Sequence, residues 1–232
     1  MKNRAMDNSA TKRGRARDAA IPDVVLQSSP KQERSKESLQ RMLDATIALE
    51  IERGRDCFTL ADVAQRAGIS VGSITFRFRN KDALLDASHL AAVHQFLGRE
   101  RAMVGTLLQQ CNNLETFTIA YARAMGDFLD DNGPLLRSYM KRAPDRPELQ
   151  QGGQEAASNG QRMASAAFLS FRNEIGGPDP ERKVKTVFQI IYSTYARQLG
   201  LNTLGVPAFI QPFDELKNEL GLMALSYLQA PY

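Results

Sequence analysis

Cysteine and histidine, the residues that most often build metal and nucleophilic sites, are scarce in this chain of 232 residues. The two cysteines, Cys57 and Cys111, lie far apart without a CxxC or histidine companion, which is typical of unpaired thiols in a reducing cytosol. The two histidines, His89 and His94, are five residues apart and so do not share a helix face as metal ligands would. The sequence therefore predicts no metal site and neither a Ser-His-Asp nor a Cys-His catalytic site.

Phosphate-binding glycine motifs and long apolar runs are missing as well. The glycines form neither GxGxxG nor GxxxxGK[ST], so no nucleotide cofactor is predicted. The first thirty residues hold no apolar signal core, and no run approaches the ~18 apolar residues of a membrane span. We therefore expect a cytoplasmic protein with no membrane partner, no catalytic residues and no cofactor. An enzyme would need a carboxylate or lysine site that no motif reveals.

Positive charge is concentrated at the N-terminus. The formal net charge is +4, yet residues 1–36 contain nine Lys or Arg and four Asp or Glu, so the rest of the chain is slightly acidic. Residues 1–33 mix Asn, Ser, Ala, Arg and Pro without periodicity, and we expect them to form a disordered basic arm. Such an arm attracts polyanions, either nucleic acid or an anionic membrane, although a tail that only aids solubility has the same composition.

Proline is absent between Pro30 and Pro134, which leaves a long stretch free to form helices. No segment combines strand alternation with hairpin turn chemistry, so the predicted fold class is all-α. An apolar stripe runs from Leu114 to Leu129. Caps, apolar spacing and Gly or Pro breaks predict further helices at residues 35–53, 60–67, 71–78, 81–97, 135–142, 148–175, 181–201 and 213–228.

Residues 60–67 and 71–78 form two short helices joined by a glycine-containing turn, which is the spacing of a helix-turn-helix. Gly68 permits the left-handed backbone that ends the first helix. Thr59 and Ser70 are expected to cap the two helices, and the second cap leaves free N–H groups for a phosphate or a base. Small and apolar residues predict that the two helices cross closely: Val63, Ala64, Ala67, Ile74 and Phe78.

This stretch resembles the DNA-binding domain of TetR-family transcriptional regulators. The resemblance covers about residues 38–85 and rests on TLADVAQRAGISVGSI (59–74), FRNKDALL (78–85), RMLDA (41–45), Leu49 and ERG (52–54). It implies an N-terminal three-helix helix-turn-helix domain at 34–80 and a larger C-terminal helical domain at 81–232 for effector binding and dimerisation. Residues 81–97 would form the helix that connects them.

The sequence departs from the family pattern at four positions. Thr75 stands where a tyrosine is usual, and Arg77 where a Tyr or His is usual. Arg79 replaces a common proline and Glu50 a common aromatic residue. The first two changes exchange phenolic phosphate contacts for a hydroxyl and a guanidinium, so an operator sequence cannot be taken over from a relative.

The resemblance also implies which residues contact DNA. Base edges in the major groove would meet the helix that begins after Ser70, at Val71, Gly72, Ser73 and Phe76. Phosphates would meet Thr59, Thr75, Arg77 and Lys81. The chemistry is suitable, because hydroxyls and cations donate to phosphates, Gly72 allows close backbone approach, and Phe76 can rest on a thymine methyl. The cluster of Arg77, Arg79 and Lys81 also fits a solvated charge run at a helix boundary.

Aromatic residues recur along two helices of the C-terminal half. By resemblance they would enclose an apolar cavity for a small-molecule effector, although plain core packing has the same pattern. Ionisable residues are scarce on these stripes, so the expected effector is neutral or weakly polar. The candidate effector-binding residues are Phe117, Tyr121, Met125, Phe128, Phe168 and Phe171.

The last two helices are apolar on more than one face. In helix 181–201 the main stripe is Val184, Val187, Phe188, Ile191 and Tyr195, and Ile190 points away from it. In helix 213–228 the main stripe is Phe213, Leu216, Leu220, Met223 and Tyr227, and Leu222 and Leu225 lie opposite. A helix with two apolar faces needs two covers. The resemblance implies that the second cover is a partner subunit in a four-helix bundle.

The combined prediction is a homodimeric regulator of repressor type that binds double-stranded DNA at a palindromic operator and releases it with a small effector. An architectural protein that bends or coats DNA without an effector is the first alternative. An enzyme that uses the helix-turn-helix as a scaffold is the second.

Overall fold

The computed structural model describes residues 33–200 and 211–232, and within these ranges every regular element is helical. The predicted all-α class is confirmed for this part of the chain, whereas the predicted arm lies outside it except for Glu33. Two 3₁₀ turns, Ala143–Asp145 and Arg172–Glu174, are present besides the α-helices. The α-helices of the described ranges are α1 (Glu33–Arg53), α2 (Leu60–Ala67), α3 (Val71–Arg77), α4 (Lys81–Gln110), α5 (Leu114–Asp131), α6 (Gly133–Arg142), α7 (Pro147–Leu169), α8 (Pro180–Gln198) and α9 (Phe213–Gln229).

Apolar side chains gather in two main cores. In the first, α1, α2, α3 and the start of α4 surround Met42, Val63 and Ile74, which are all fully buried. In the second, the end of α4 packs with α5, α7, α8 and α9 around residues such as Phe117 and Phe168. Because α4 contributes to both cores, this one helix links the helix-turn-helix to the rest of the molecule.

Helix α4 is longer than the sequence predicts. It continues through Gly98 to Gln110 instead of ending at Leu97. Gly98 does not adopt a positive φ, so it does not reverse the chain as a helix-terminating glycine would. The helix ends at Cys111, just before Asn113 caps α5. The added turns carry Glu100 into the second half of the molecule.

Helix α7 is shorter than predicted, ending at Leu169 and not at Ile175. From Ser170 onward, backbone N–H groups donate to carbonyls three residues back, which tightens the chain into the 3₁₀ turn. Glu174 in that turn accepts a hydrogen bond from the backbone N–H of Leu114 at 2.9 Å. This contact fixes the end of the α7 segment against the start of α5.

The outward faces of α8 and α9 carry large apolar residues. The predicted inner stripe of α8 is buried, and Ile190 is 49% exposed, as predicted. On α9 the prediction for Met223 is wrong, since its side chain is 63% exposed next to Leu222 at 50%. The reason is that α9 packs on α5 through Gly221, where a Cβ would approach the Ile119 Cα to 3.2 Å, and this rotates Met223 outward.

Candidate nucleic-acid interface and ligand cavity

The helix-turn-helix geometry follows from its caps and its glycine. Gly68 ends α2 in the left-handed conformation at φ 64°, which confirms the predicted turn. The Thr59 hydroxyl accepts from the Asp62 backbone N–H, and the Asp62 carboxylate accepts from the Thr59 backbone N–H, so both form a capping box. Ser70 caps α3 by accepting from the Ser73 N–H. The predicted crossing residues, Val63, Ala64, Ala67, Ile74 and Phe78, are all buried.

One face of α3 is open to solvent. Phe76 is 66% exposed and Val71 is 41% exposed, so α3 presents two large apolar side chains to solvent. Gly72 and Thr75 are exposed beside them, while the half-buried Ser73 shares a 2.9 Å hydroxyl contact with Ser70. The four residues predicted to read bases therefore lie on or next to one accessible helix face.

Two of the predicted phosphate ligands make contacts within the protein. Lys81 donates to the carbonyl oxygens of Arg55 and Phe58 at 2.5 Å each, and its ammonium lies 3.9 Å from the centre of the Phe58 ring. Arg77 is half-buried and donates to the Ser35 hydroxyl at 2.6 Å, which joins α3 to the start of α1. Both cations therefore stabilise the helix-turn-helix, and their phosphate roles stay predictions.

The predicted hydroxyl ligands are also engaged locally. Thr59 donates to the Asp62 carboxylate at 2.6 Å, and Thr75 lies within 3.3 Å of the Gly72 carbonyl oxygen on its own helix. Arg79, by contrast, is exposed just after α3 and has no hydrogen bond or ion pair with any described residue. It is the cation at this end of α3 that is most available to a phosphate.

A cavity of about 100 Å³ lies between α4, α5, α6, α7 and α8. Met125 is the one residue of the six predicted effector-binding residues that lines it. The walls are otherwise aromatic, aliphatic and small residues, with a single carboxylate. The lining residues are Val93, Phe96, Glu100, Met125, Leu135, Leu136, Tyr139, Met140, Gly153, Ala156, Ala157, Gly160, Phe188 and Tyr192.

The other predicted effector residues lie in the core next to this cavity. The rings of Phe117 and Tyr121 both meet Phe168 at 5.0 Å between centroids, and Phe171 lies 5.3 Å from Phe117. Phe128 packs on Phe96 at 4.6 Å. The expected facing of the two stripes is confirmed, but edge-to-face ring contacts fill the space between them. The assignment of these residues to effector binding stays a prediction.

Glu100 is the unexpected member of the cavity wall. Its side chain is 4% exposed, and its carboxylate has no hydrogen bond or ion pair among the described residues. Burial raises the pKa of Glu100 to about 7. Burial also raises the pKa of Tyr121 well above its usual value, with a further contribution from the charge of Glu100, and the Tyr121 hydroxyl is buried without a described partner.

Glycines in α7 create the room for this cavity. A Cβ at Gly160 would lie 3.1 Å from a Glu100 oxygen, and one at Gly153 would lie 3.2 Å from the Tyr139 ring. Glycine inside a helix lowers the stability of that helix in isolation. The presence of several glycines in one helix was the signal in the sequence from which close packing of this α7 face against α4 and α6 could have been predicted.

Helix α6 connects the cavity with the helix-turn-helix. Tyr139 lines the cavity on one side, and its ring meets the His89 ring edge-on at 5.7 Å on the other. His89 Nε2 lies 2.8 Å from Oε2 of Glu50, which belongs to α1. Burial alone would raise the pKa of Glu50, but His89, Ser138 and Arg142 together hold it below its usual value. Arg142 also donates to Asp86 at 2.6 Å.

Comparison with known proteins agrees with the helix-turn-helix geometry. Residues 42–88 match the family described as bacterial regulatory proteins, tetR family. The chain is 43% identical over 49 residues to the HTH-type transcriptional regulator BetI of Serratia proteamaculans (strain 568), covering 21% of this chain and 25% of that protein. Residues 42–88, which contain the helix-turn-helix, are thus similar to tetR-family regulators.

A second relative matches over a longer stretch at lower identity. BetI of Cronobacter sakazakii is 24% identical over 136 residues, which is 59% of this chain and 66% of that BetI. The chain thus spans a quarter of one BetI relative and about two thirds of the other.

Two crystal structures share the helical fold. A protein from Mesorhizobium loti assigned to the TetR family superposes with a TM-score of 0.69 at 20% identity, covering 85% of this chain and 98% of that one. FadR of Bacillus subtilis, crystallised with stearoyl-CoA, superposes with a TM-score of 0.55 at 16% identity, covering 81% and 97%.

Two further features concern sites outside DNA recognition. In the described part of the chain no three His, Cys, Asp or Glu side chains come together in a way that could hold a metal ion. No helix there is both long and apolar enough to cross a membrane.

Proposed function

We propose that this protein is a homodimeric repressor of the tetR family that binds a palindromic operator through α3 and releases it when a small molecule enters the cavity. The observation that carries the proposal is the exposed face of α3, where Val71 and Phe76 project from a helix that is otherwise held firmly by buried contacts. A recognition helix needs both properties, because its position is set by the packed side and its specificity by the open side.

DNA binding is assigned to residues 34–80, and effector binding and dimerisation to residues 81–232, with α4 connecting them. Val71, Gly72, Ser73 and Phe76 are assigned to base edges. Arg79 is added to the predicted phosphate ligands because its guanidinium forms no hydrogen bond or ion pair with any described residue. Arg77 and Lys81 are assigned a double role, since the contacts that hold the helix-turn-helix together also bring their charge close to its surface.

Dimerisation is supported by the outward faces of α8 and α9. Ile190, Leu222 and Met223 are each about half exposed or more, and together they form apolar surface on adjacent helices. A second copy of the chain would cover this surface around a two-fold axis, which matches the symmetry of a palindrome.

Release by an effector is supported by the position of α6. This helix contributes Tyr139 to the cavity and Arg142 to the buried contacts with Asp86 on α4. A ligand that moves α6 would therefore shift the start of α4 and, through His89 and Glu50, the helix-turn-helix. The free energy available for such a switch equals the difference in ligand affinity between the two states.

Phe76→Glu tests the DNA-binding assignment. The added carboxylate would face DNA, so operator affinity should fall by about a hundredfold or more. Because Phe76 is 66% exposed, the melting temperature should change little. Gln109→Glu, at an exposed position of α4 far along the chain, is the matched control and should bind DNA normally. Equal DNA affinity of both variants by fluorescence anisotropy would contradict the assignment of α3.

A further inference from the structure

Glu100 places a carboxylate without a counter-charge in the wall of an apolar cavity. It is the one acidic residue among the cavity-lining residues, and no Lys, Arg or His accompanies it there. We propose that the cavity binds a small organic amine in its protonated form, with the ammonium group paired to Glu100 and the apolar part against the aromatic wall. This inference rests on the proposed function, since it names the class of effector.

The carboxylate argues for a ligand that supplies both charge and hydrogen-bond donors. An ionised carboxyl accepts several hydrogen bonds, and the Glu100 oxygens receive none from the described residues. A buried acceptor without a donor, and a buried charge without a counter-charge, both cost free energy. A protonated amine meets both needs at once. An anionic ligand would add a second negative charge to the same cavity whenever Glu100 is ionised, so a cation is favoured over an anion.

The other residues that line the cavity favour a compact apolar group on the amine. Phe96, Phe188 and Tyr192 surround the cavity with aromatic rings, which attract both cations and aryl or alkyl groups. Met125 adds a flexible thioether side chain that can adapt to the ligand. The volume of about 100 Å³ admits only a small molecule unless the helices move apart. A short arylalkyl or alkyl ammonium ion fits this description.

A protonated effector differs from the neutral or weakly polar one expected from the aromatic stripes. Those stripes lie on α5 and α7, where ionisable residues are scarce. Glu100 lies on α4 and reaches the cavity only because Gly160 of α7 leaves space beside it.

Calorimetric titration of the full-length protein with benzylammonium, benzyl alcohol and benzoate tests the proposal. These probes share one ring and differ in charge. The wild type should bind benzylammonium more tightly than the other two. Glu100→Gln should weaken benzylammonium by about tenfold or more and leave benzyl alcohol within about twofold. Glu115→Gln, the same change at an exposed site on α5, should bind all three as the wild type does.

Proton release on ligand binding gives a second measurement, which would show no change if Glu100 had only a structural role. Free Glu100 is mostly protonated at pH 6, because burial raises its pKa to about 7. Pairing with an ammonium ion should expel that proton, so titrations in buffers of different ionisation enthalpy should report up to about one proton released. Glu100→Gln should release none. Equal benzylammonium affinity in wild type and Glu100→Gln, or preference for benzyl alcohol, would overturn the proposal.

Operator release separates this inference from the proposed function. Glu100-dependent amine binding that leaves DNA affinity unchanged would support the amine site and contradict the regulatory role. Release of DNA by benzyl alcohol, without Glu100-dependent binding of benzylammonium, would support regulation and overturn the amine site.

Discussion

The buried charge of Glu100 should make the free protein less stable at neutral and alkaline pH than a variant without it. Burial raises the pKa of this group from 4.5 to about 7. The folded protein therefore holds a proton that the unfolded chain has already lost between these two values. In that window unfolding becomes more favourable as pH rises, and the cost is complete above the folded pKa. A pKa difference of this size corresponds to about 3 kcal/mol.

Glu100→Gln removes the charge and keeps the shape. Its free energy of unfolding should equal that of the wild type near pH 4.5 and exceed it by about 3 kcal/mol at pH 8. Urea denaturation followed by circular dichroism, at one protein concentration and several pH values, measures this difference. Glu115→Gln is the control, since its carboxylate is exposed and its loss relieves no buried charge, so the variant should show no comparable gain in stability between pH 4.5 and pH 8. A constant difference between wild type and Glu100→Gln across the range would refute the reasoning about burial.

Three further predictions concern DNA binding and assembly. Arg79→Ala should weaken DNA binding and lower the slope of log affinity against log salt by about one unit, without loss of stability. Arg77→Ala should lower both DNA affinity and thermal stability, because it also loses the 2.6 Å contact with Ser35. Unchanged salt dependence in both variants would contradict their phosphate roles. Leu222→Glu should convert the dimer into a folded monomer in sedimentation velocity, since this side chain is half exposed within one chain; a stable dimer would place the interface elsewhere. Deletion of residues 1–33 should weaken DNA binding mainly at low salt, and an equal loss at high salt would indicate a specific contact by the arm.

Local signals predicted the helix-turn-helix well. Thr59, Gly68 and Ser70 make their capping and turn contacts with residues close in sequence, so these roles can be predicted from neighbouring residues alone. The apolar spacing of α2 and α3 likewise predicted which side chains are buried. Local rules of this kind do not depend on how distant helices pack.

Contacts between distant residues could not be predicted in the same way. Lys81 looks like a free surface cation in the sequence, and only the folded loop after α1 brings the Arg55 and Phe58 carbonyls to it. Glu100 looks like a solvated residue beside Arg99 and Arg101, and only the approach of Gly160 buries it. The cavity is formed by five helices, so its walls are determined by tertiary packing and not by the period of any one helix.

Two α3 helices of a symmetric dimer are proposed to read a specific DNA sequence. Selection of bound DNA from a random double-stranded pool, followed by sequencing, tests it most directly. We predict enrichment of one inverted repeat, with half-site centres about 10 base pairs or a multiple apart, and loss of that enrichment for Phe76→Glu. Retention of DNA without any enriched sequence, or enrichment of a single asymmetric site, would contradict it.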